Sequence, residues 1–192
     1  MLRRSPRLPR RRLGLVFGGL TLALAIPATA LAADITGTPG NDNLEGTAEA
    51  DTINALAGND IVAGLGGDDI IYGGTGADIL RGGDGDDQIH GGAGPDRLVG
   101  GSGADRIWGG DGRDDIFGGP GDDRLHGGAG ADYISGGFGH DWVFGGYGND
   151  LIIVSGDRTR DYVDCGPGWD IVYAGPHDLV AANCERVVKR AY

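Results

Sequence analysis

Residues 82–100 read GGDGDDQIHGGAGPDRLVG, with seven glycines, four aspartates and a proline in nineteen residues. Three readings compete: a disordered acidic linker, a phosphate-cradling glycine loop, or part of a longer repeat. Register decides between them. From Gly37 to Ile153 the chain divides without a gap into thirteen nonapeptides: GTPGNDNLE, GTAEADTIN, ALAGNDIVA, GLGGDDIIY, then nine that open on paired glycine, from GGTGADILR to GGYGNDLII. Position six is aspartate in all thirteen, position eight is Leu, Ile or Val in all thirteen, and position four is glycine in all but one, where Glu49 stands. A linker needs no such register. A phosphate loop of the form G-x-x-x-x-G-K-[ST] is absent, and the only lysine is Lys189.

Each position has a physical reading. Glycines at positions one, two and four permit positive φ and close backbone approach in a tight turn. Positions seven to nine alternate as a short strand with one large aliphatic facing inward. One turn and one three-residue strand per repeat bury too little to stand alone, so the repeats must stack. Two repeats, eighteen residues, then make one coil of a flattened parallel solenoid, odd repeats on one sheet and even repeats on the other. Aspartates on the same side, such as Asp78, Asp96 and Asp114, line up at about the 4.8 Å spacing of paired strands. Unneutralised charges at that spacing repel by roughly 3 kcal/mol per pair at an effective dielectric near 20. Something positive must stand in the column. A hard cation with irregular all-oxygen coordination suits carboxylates and glycine carbonyls, and calcium tolerates that irregularity better than magnesium.

The nonapeptide G-G-x-G-x-D-x-U-x, strict in nine consecutive copies from Gly73 through Ile153 and loose in four before them, resembles the RTX (repeats-in-toxin) calcium-binding proteins. The resemblance implies an all-β parallel β-roll with each ion between neighbouring turns on the same side. It implies ligands from Asp69, Asp78, Asp87, Asp96, Asp105, Asp114, Asp123, Asp132, Asp141 and Asp150. Carbonyls are implied from Gly73, Gly82, Gly91, Gly100, Gly109, Gly118, Gly127 and Gly136. Pairing each strict repeat with the second one after it implies about seven ions, and all thirteen repeats allow eleven at most. Repeats one to three lack the second glycine and Glu49 replaces a turn glycine, so sites at Asp42, Asp51 and Asp60 are expected to be weak.

The flanks differ in kind. Residues 1–32 carry six arginines, no acid and an apolar run from Leu13 to Ile26, followed by Pro27 and Ala30-Leu31-Ala32. That order predicts a secretory signal peptide cleaved after Ala32, with the route of export, general or twin-arginine, left open. The apolar run is short for a spanning helix, so no membrane association is expected after cleavage. Removing those six arginines leaves 10 Lys+Arg against 28 Asp+Glu, a formal charge of −18. Nucleic acid and anionic membranes are poor partners for such a chain. Residues 33–72 form a degenerate N-terminal stretch, 73–153 the strict repeats and 154–192 a C-terminal cap. The period breaks across VSGDRTRDYVD, returns once as CGPGWDIVY with Asp170 at position six, and ends in HDLVAANCERVVKRAY. Cys165 and Cys184, an even pair in an exported chain, predict a disulfide that pins the cap; a metal-bound or catalytic thiol is the alternative.

No catalytic constellation stands out. G-x-S-x-G is absent, and DGDD from Asp84 starts like an EF-hand loop but places Pro95 where the bidentate glutamate belongs. The paired aspartates recur with the turn period, so the chain is expected not to be an enzyme. One feature is not dictated by the repeat: position nine of the even repeats reads Asn54, Tyr72, His90, Trp108, His126, Phe144. One sheet should carry an outward ladder of five rings, either stiffening the sheet or forming a strip for a cell-surface glycan or protein. Ice binding would need a threonine ladder, and only Thr52 fits. The sequence therefore predicts a secreted, extracellular calcium-binding module of structural or interaction role.

Overall fold

The computed structural model describes residues 31–154 and 156–190; the predicted signal peptide lies almost entirely outside them. The described residues contain no helix. Eighteen strands run from β1 (Asp34–Thr36) and β2 (Asn43–Glu45) to β17 (Leu179–Val180) and β18 (Arg186–Lys189). Odd-numbered strands form one nine-stranded parallel sheet and even-numbered strands the other, each strand pairing with the second one after it. This is the predicted β-solenoid, nine coils long.

The eighteen-residue coil is explicit in the register, where Ile71 pairs with Ile89 and His90 with Trp108. Every position-eight side chain from Ile53 to Ile152 is fully buried between the sheets. The core is thus a single file of aliphatic side chains from each sheet, as the alternation required.

Strand length departs from expectation. β5 (Ile70–Thr75) and β7 (Gln88–Ala93) have six residues each, covering positions seven to nine of one repeat and one to three of the next. The glycines at positions one and two therefore belong to strands, and the turn shrinks to positions four to six. The reason is pairing between glycines, as Gly74 pairs with Gly92 one coil on, where no side chain separates the backbones. Position two takes positive φ, +107° at Gly74, as does position four, +136° at Gly76, whereas position one does not. Leu56 and Leu65, at position two of repeats three and four, adopt φ +83° and +84°, which costs a non-glycine residue roughly 1–2 kcal/mol. Leu65 shows that the fourth repeat also lacks the second glycine.

The C-terminal segment prolongs the roll. β15 (Tyr162–Asp164), β16 (Ile171–Ala174), β17 and β18 continue both sheets in register. Val163 and Val172 extend the buried file. The apparent break is an insertion of two residues, because the coil from Asp141 to Asp161 spans 20 residues instead of 18. Cys165 and Cys184 are joined in a disulfide across this last part of the roll.

Candidate calcium columns

The thirteen position-six aspartates form two columns, one along each edge of the roll, and those from Asp51 to Asp150 are at most 3% exposed. Each Oδ1 in the repeats beyond the first coil accepts the backbone N–H of the aspartate one coil earlier. Asp78 takes that of Asp60 at 2.8 Å, Asp96 that of Asp78 at 2.8 Å, and Asp105 that of Asp87 at 2.9 Å. One oxygen of each carboxylate is therefore spent on holding successive coils in register.

The other oxygen is left over. Oδ2 of every position-six aspartate from Asp60 to Asp150, and of Asp170, is buried without a hydrogen-bond partner. No basic side chain answers this charge: among the described residues the single ion pair is Arg97 with Asp115, on the surface. A buried carboxylate oxygen without a partner costs more than a lost hydrogen bond, and twelve in two files demand a common answer.

Position-one glycines supply the space for it. A Cβ placed on Gly73 would stand 2.6 Å from Asp78 Oδ2 and 2.6 Å from the Gly91 carbonyl oxygen, one coil on. The same convergence recurs with Gly64, Asp69 and Gly82, and with Gly82, Asp87 and Gly100. It continues through Asp96, Asp105, Asp114, Asp123 and Asp132, each beside its own position-one glycine and facing the carbonyl one coil on, and ends with Gly145, Asp150 and the Cys165 carbonyl. Nine such cradles contain an unpartnered Oδ2. At Gly136 the three nearest atoms all belong to Asp141, whose Oδ2 is likewise buried and unpartnered. One coil before Gly73, position one is Ala55, whose methyl takes the space that glycine leaves open elsewhere.

Two electronegative oxygens facing one gap need a proton or a cation between them. Burial, the largest cause, pushes the carboxyl groups of Asp69, Asp96, Asp105 and Asp132 up to about 7 and that of Asp141 to about 8, against 3.8 ordinarily. Asp87, Asp123 and Asp150 rise to about 6. The backbone N–H on Oδ1 works the other way, and neighbouring carboxylates add to the rise. Around neutral pH the gap is therefore contested between proton and metal ion. The donor set of hard oxygens fits calcium. Among the described residues no three His, Cys, Asp or Glu side chains gather into a metal centre.

The columns extend beyond the repeats read from sequence. Asp161 Oδ1 accepts the Asp141 N–H at 2.9 Å, and Asp178 Oδ1 accepts the Asp161 N–H at 3.2 Å. Glu185 closes the other column by accepting the Asp170 N–H at 2.8 Å. The D-Y-V-D of residues 161–164 carried the signal, an aspartate followed by x-U-x, but the two-residue insertion hid it from a strict nine-residue count.

The ring ladder forms on the odd-numbered sheet. Tyr72, His90, Trp108, His126 and Phe144 stack in sequence, with centroids 4.4–5.9 Å apart and planes within 12°. Tyr162 continues it, tilted by 56° at 6.1 Å. Burial within the stack lowers the proton affinity of His90 and His126.

Comparison with known families agrees with this geometry. The RTX calcium-binding nonapeptide repeat (4 copies) matches residues 36–71, 64–98, 90–125, 117–152 and 126–159. No curated protein matches the chain significantly. RTX nonapeptide repeats bind calcium ions, and the matched segments together span residues 36–159, well over half of the 192-residue chain. The chain belongs to the RTX calcium-binding nonapeptide-repeat family.

Proposed function

We propose that this chain is exported, folds outside the cell as calcium enters the two aspartate columns, and serves there as a surface or matrix module, not as an enzyme. The observation that carries this reading is the file of buried, unpartnered Oδ2 atoms, nine of which face a carbonyl from the next coil. When bound, calcium supplies compact positive charge between coils. Asp69 to Asp150 and the carbonyls of the position-one glycines are the residues that would hold it. The protein's own part is to hold Oδ1 on the preceding coil, keep water out, and present Oδ2 and the carbonyl together. The disulfide favours an oxidising compartment, and extracellular calcium modules work at millimolar ion concentrations.

The test is circular dichroism of the mature protein in chelator and in millimolar calcium. Loss of β signal in chelator and its cooperative return on calcium addition are expected. Equal β content in both states overturns the reading.

A second reading makes the ring ladder a glycan- or protein-binding strip. Its half-exposed position on one sheet favours this. Against it, the rings spend their faces on one another, leaving edges to a partner, whereas sugars pack on ring faces. Stiffening of the sheet is the stronger account.

A further inference from the structure

The first coil treats its aspartates differently from every coil after it. Thr38, at position two of repeat one, donates its N–H to Asp42 Oδ2 at 2.5 Å, and its hydroxyl lies 3.0 Å from Oδ2 and 3.2 Å from Oδ1. Thr47 repeats the arrangement in repeat two. Its N–H reaches Asp51 Oδ2 at 2.5 Å and its hydroxyl lies 3.2 Å from Oδ1, with Asp51 only 3% exposed. Neither Asp42 nor Asp51 has the buried, unpartnered Oδ2 that runs from Asp60 to Asp150.

Backbone conformation at position two separates the two kinds of turn. Where position two is glycine, φ is positive, from +105° at Gly146 to +128° at Gly83. The Gly146 N–H then points along the column, to the Cys165 carbonyl at 3.0 Å. Leu56 and Leu65 are held in the same region despite the strain, and Asp60 and Asp69 behind them keep an unpartnered Oδ2. Thr38 and Thr47 lie outside that region, so their N–H turns inward onto the carboxylate and the hydroxyl joins it. Two donors from the chain then answer the anion that elsewhere awaits a cation.

We infer that threonine at position two closes a turn in place of an ion. Thr38 and Thr47 thereby keep the first coil metal-free, while the turns from Asp69 onward that set an unpartnered Oδ2 beside a position-one glycine take one calcium each. This rests on the calcium-module reading and refines it. Leu65 does not disable its turn, because it adopts the backbone of the open form and Gly64 beside it leaves the cradle clear.

Native mass spectrometry of the full mature chain in calcium counts the ions directly. Two more ions than on wild type are expected for Thr38→Gly/Thr47→Gly/Glu49→Gly, which restores glycine at positions two and four of the first two repeats. An equal count on wild type and on the folded triple variant overturns the closure. Should the triple variant fail to fold in calcium, Gly92→Thr is the converse test. It places threonine at position two ahead of Asp96 and is expected to hold one ion fewer than wild type, and an equal count overturns the proposal. A wild-type chain that binds no calcium sinks the calcium-module reading itself, whereas equal counts on wild type and the triple variant sink only the role of the threonines.

Discussion

Asp96 receives the backbone N–H of Asp78 on Oδ1 at 2.8 Å while its Oδ2 faces the Gly109 carbonyl without a partner. One carboxylate thus does two jobs, zipping one coil to its predecessor and presenting an oxygen to an ion. Substitution separates them. Asp96→Ala loses both and leaves the buried Asp78 N–H unmet, at a cost of about 1–3 kcal/mol even in saturating calcium. Asp96→Asn keeps an acceptor for that N–H and loses the charge. It should therefore keep more of its thermal stability in saturating calcium than the alanine variant, while its calcium midpoint rises as much.

Acid should partly replace calcium. The aspartates with folded-state values of about 6 to 8 bind more protons folded than unfolded between roughly pH 4 and those values. Their contribution is therefore full below the unfolded value near 3.8 and is lost as pH rises through 6 to 8. The calcium-stripped protein should gain β signal on acidification from pH 7.5 to 4.5. In calcium the same protons compete for Oδ2, so the calcium midpoint should rise as pH falls below about 7. A metal-free circular dichroism signal that stays flat over this range contradicts the assignment.

Leu65 sits at φ +84° with its side chain 47% exposed. Leu65→Gly relieves backbone strain and gives up little burial, so it should stabilise the calcium-loaded roll by about 1 kcal/mol. Thermal unfolding in saturating calcium measures this, and a fall in midpoint would show that the leucine packs better than its exposure implies.

The Cys165–Cys184 bridge closes a 19-residue separation, which contributes ~3 kcal/mol in the chain-entropy treatment. Cys165→Ser/Cys184→Ser should fray the last coils first. Hydrogen exchange should accelerate across residues 162–189 and remain slow around Ile89 and Ile107. Uniform acceleration along the roll would mean that the last coils hold the whole solenoid together.

Trp108 stacks on His90 at 4.4 Å and on His126 at 5.9 Å. Trp108→Ala removes two stacked pairs, each worth about 0.5–1.5 kcal/mol beyond burial. Stability should fall accordingly, with binding to cell-wall and glycan fractions unchanged. Loss of such binding from a folded, calcium-loaded variant would establish the ladder as a partner site.

The amino-acid sequence by itself determined the period, the inward aliphatics such as Ile89, the two files of aspartates and the need for positive charge between them. All of these follow from side-chain chemistry repeated every nine residues. What it could not determine are relations between residues a full coil apart. Pairing of Gly74 with Gly92 lengthened the strands to six residues, because hydrogen bonding between coils recruits glycines that local alternation assigns to a turn. Asp161, Asp178 and Glu185 joined the columns despite irregular spacing, because parallel stacking tolerates extra residues in a turn as long as the next strand returns to register. The answers that Thr38 and Thr47 give to their aspartates depend on the sign of φ at one backbone position. That choice is made by how each turn packs against its neighbours, and only the tertiary structure decided it.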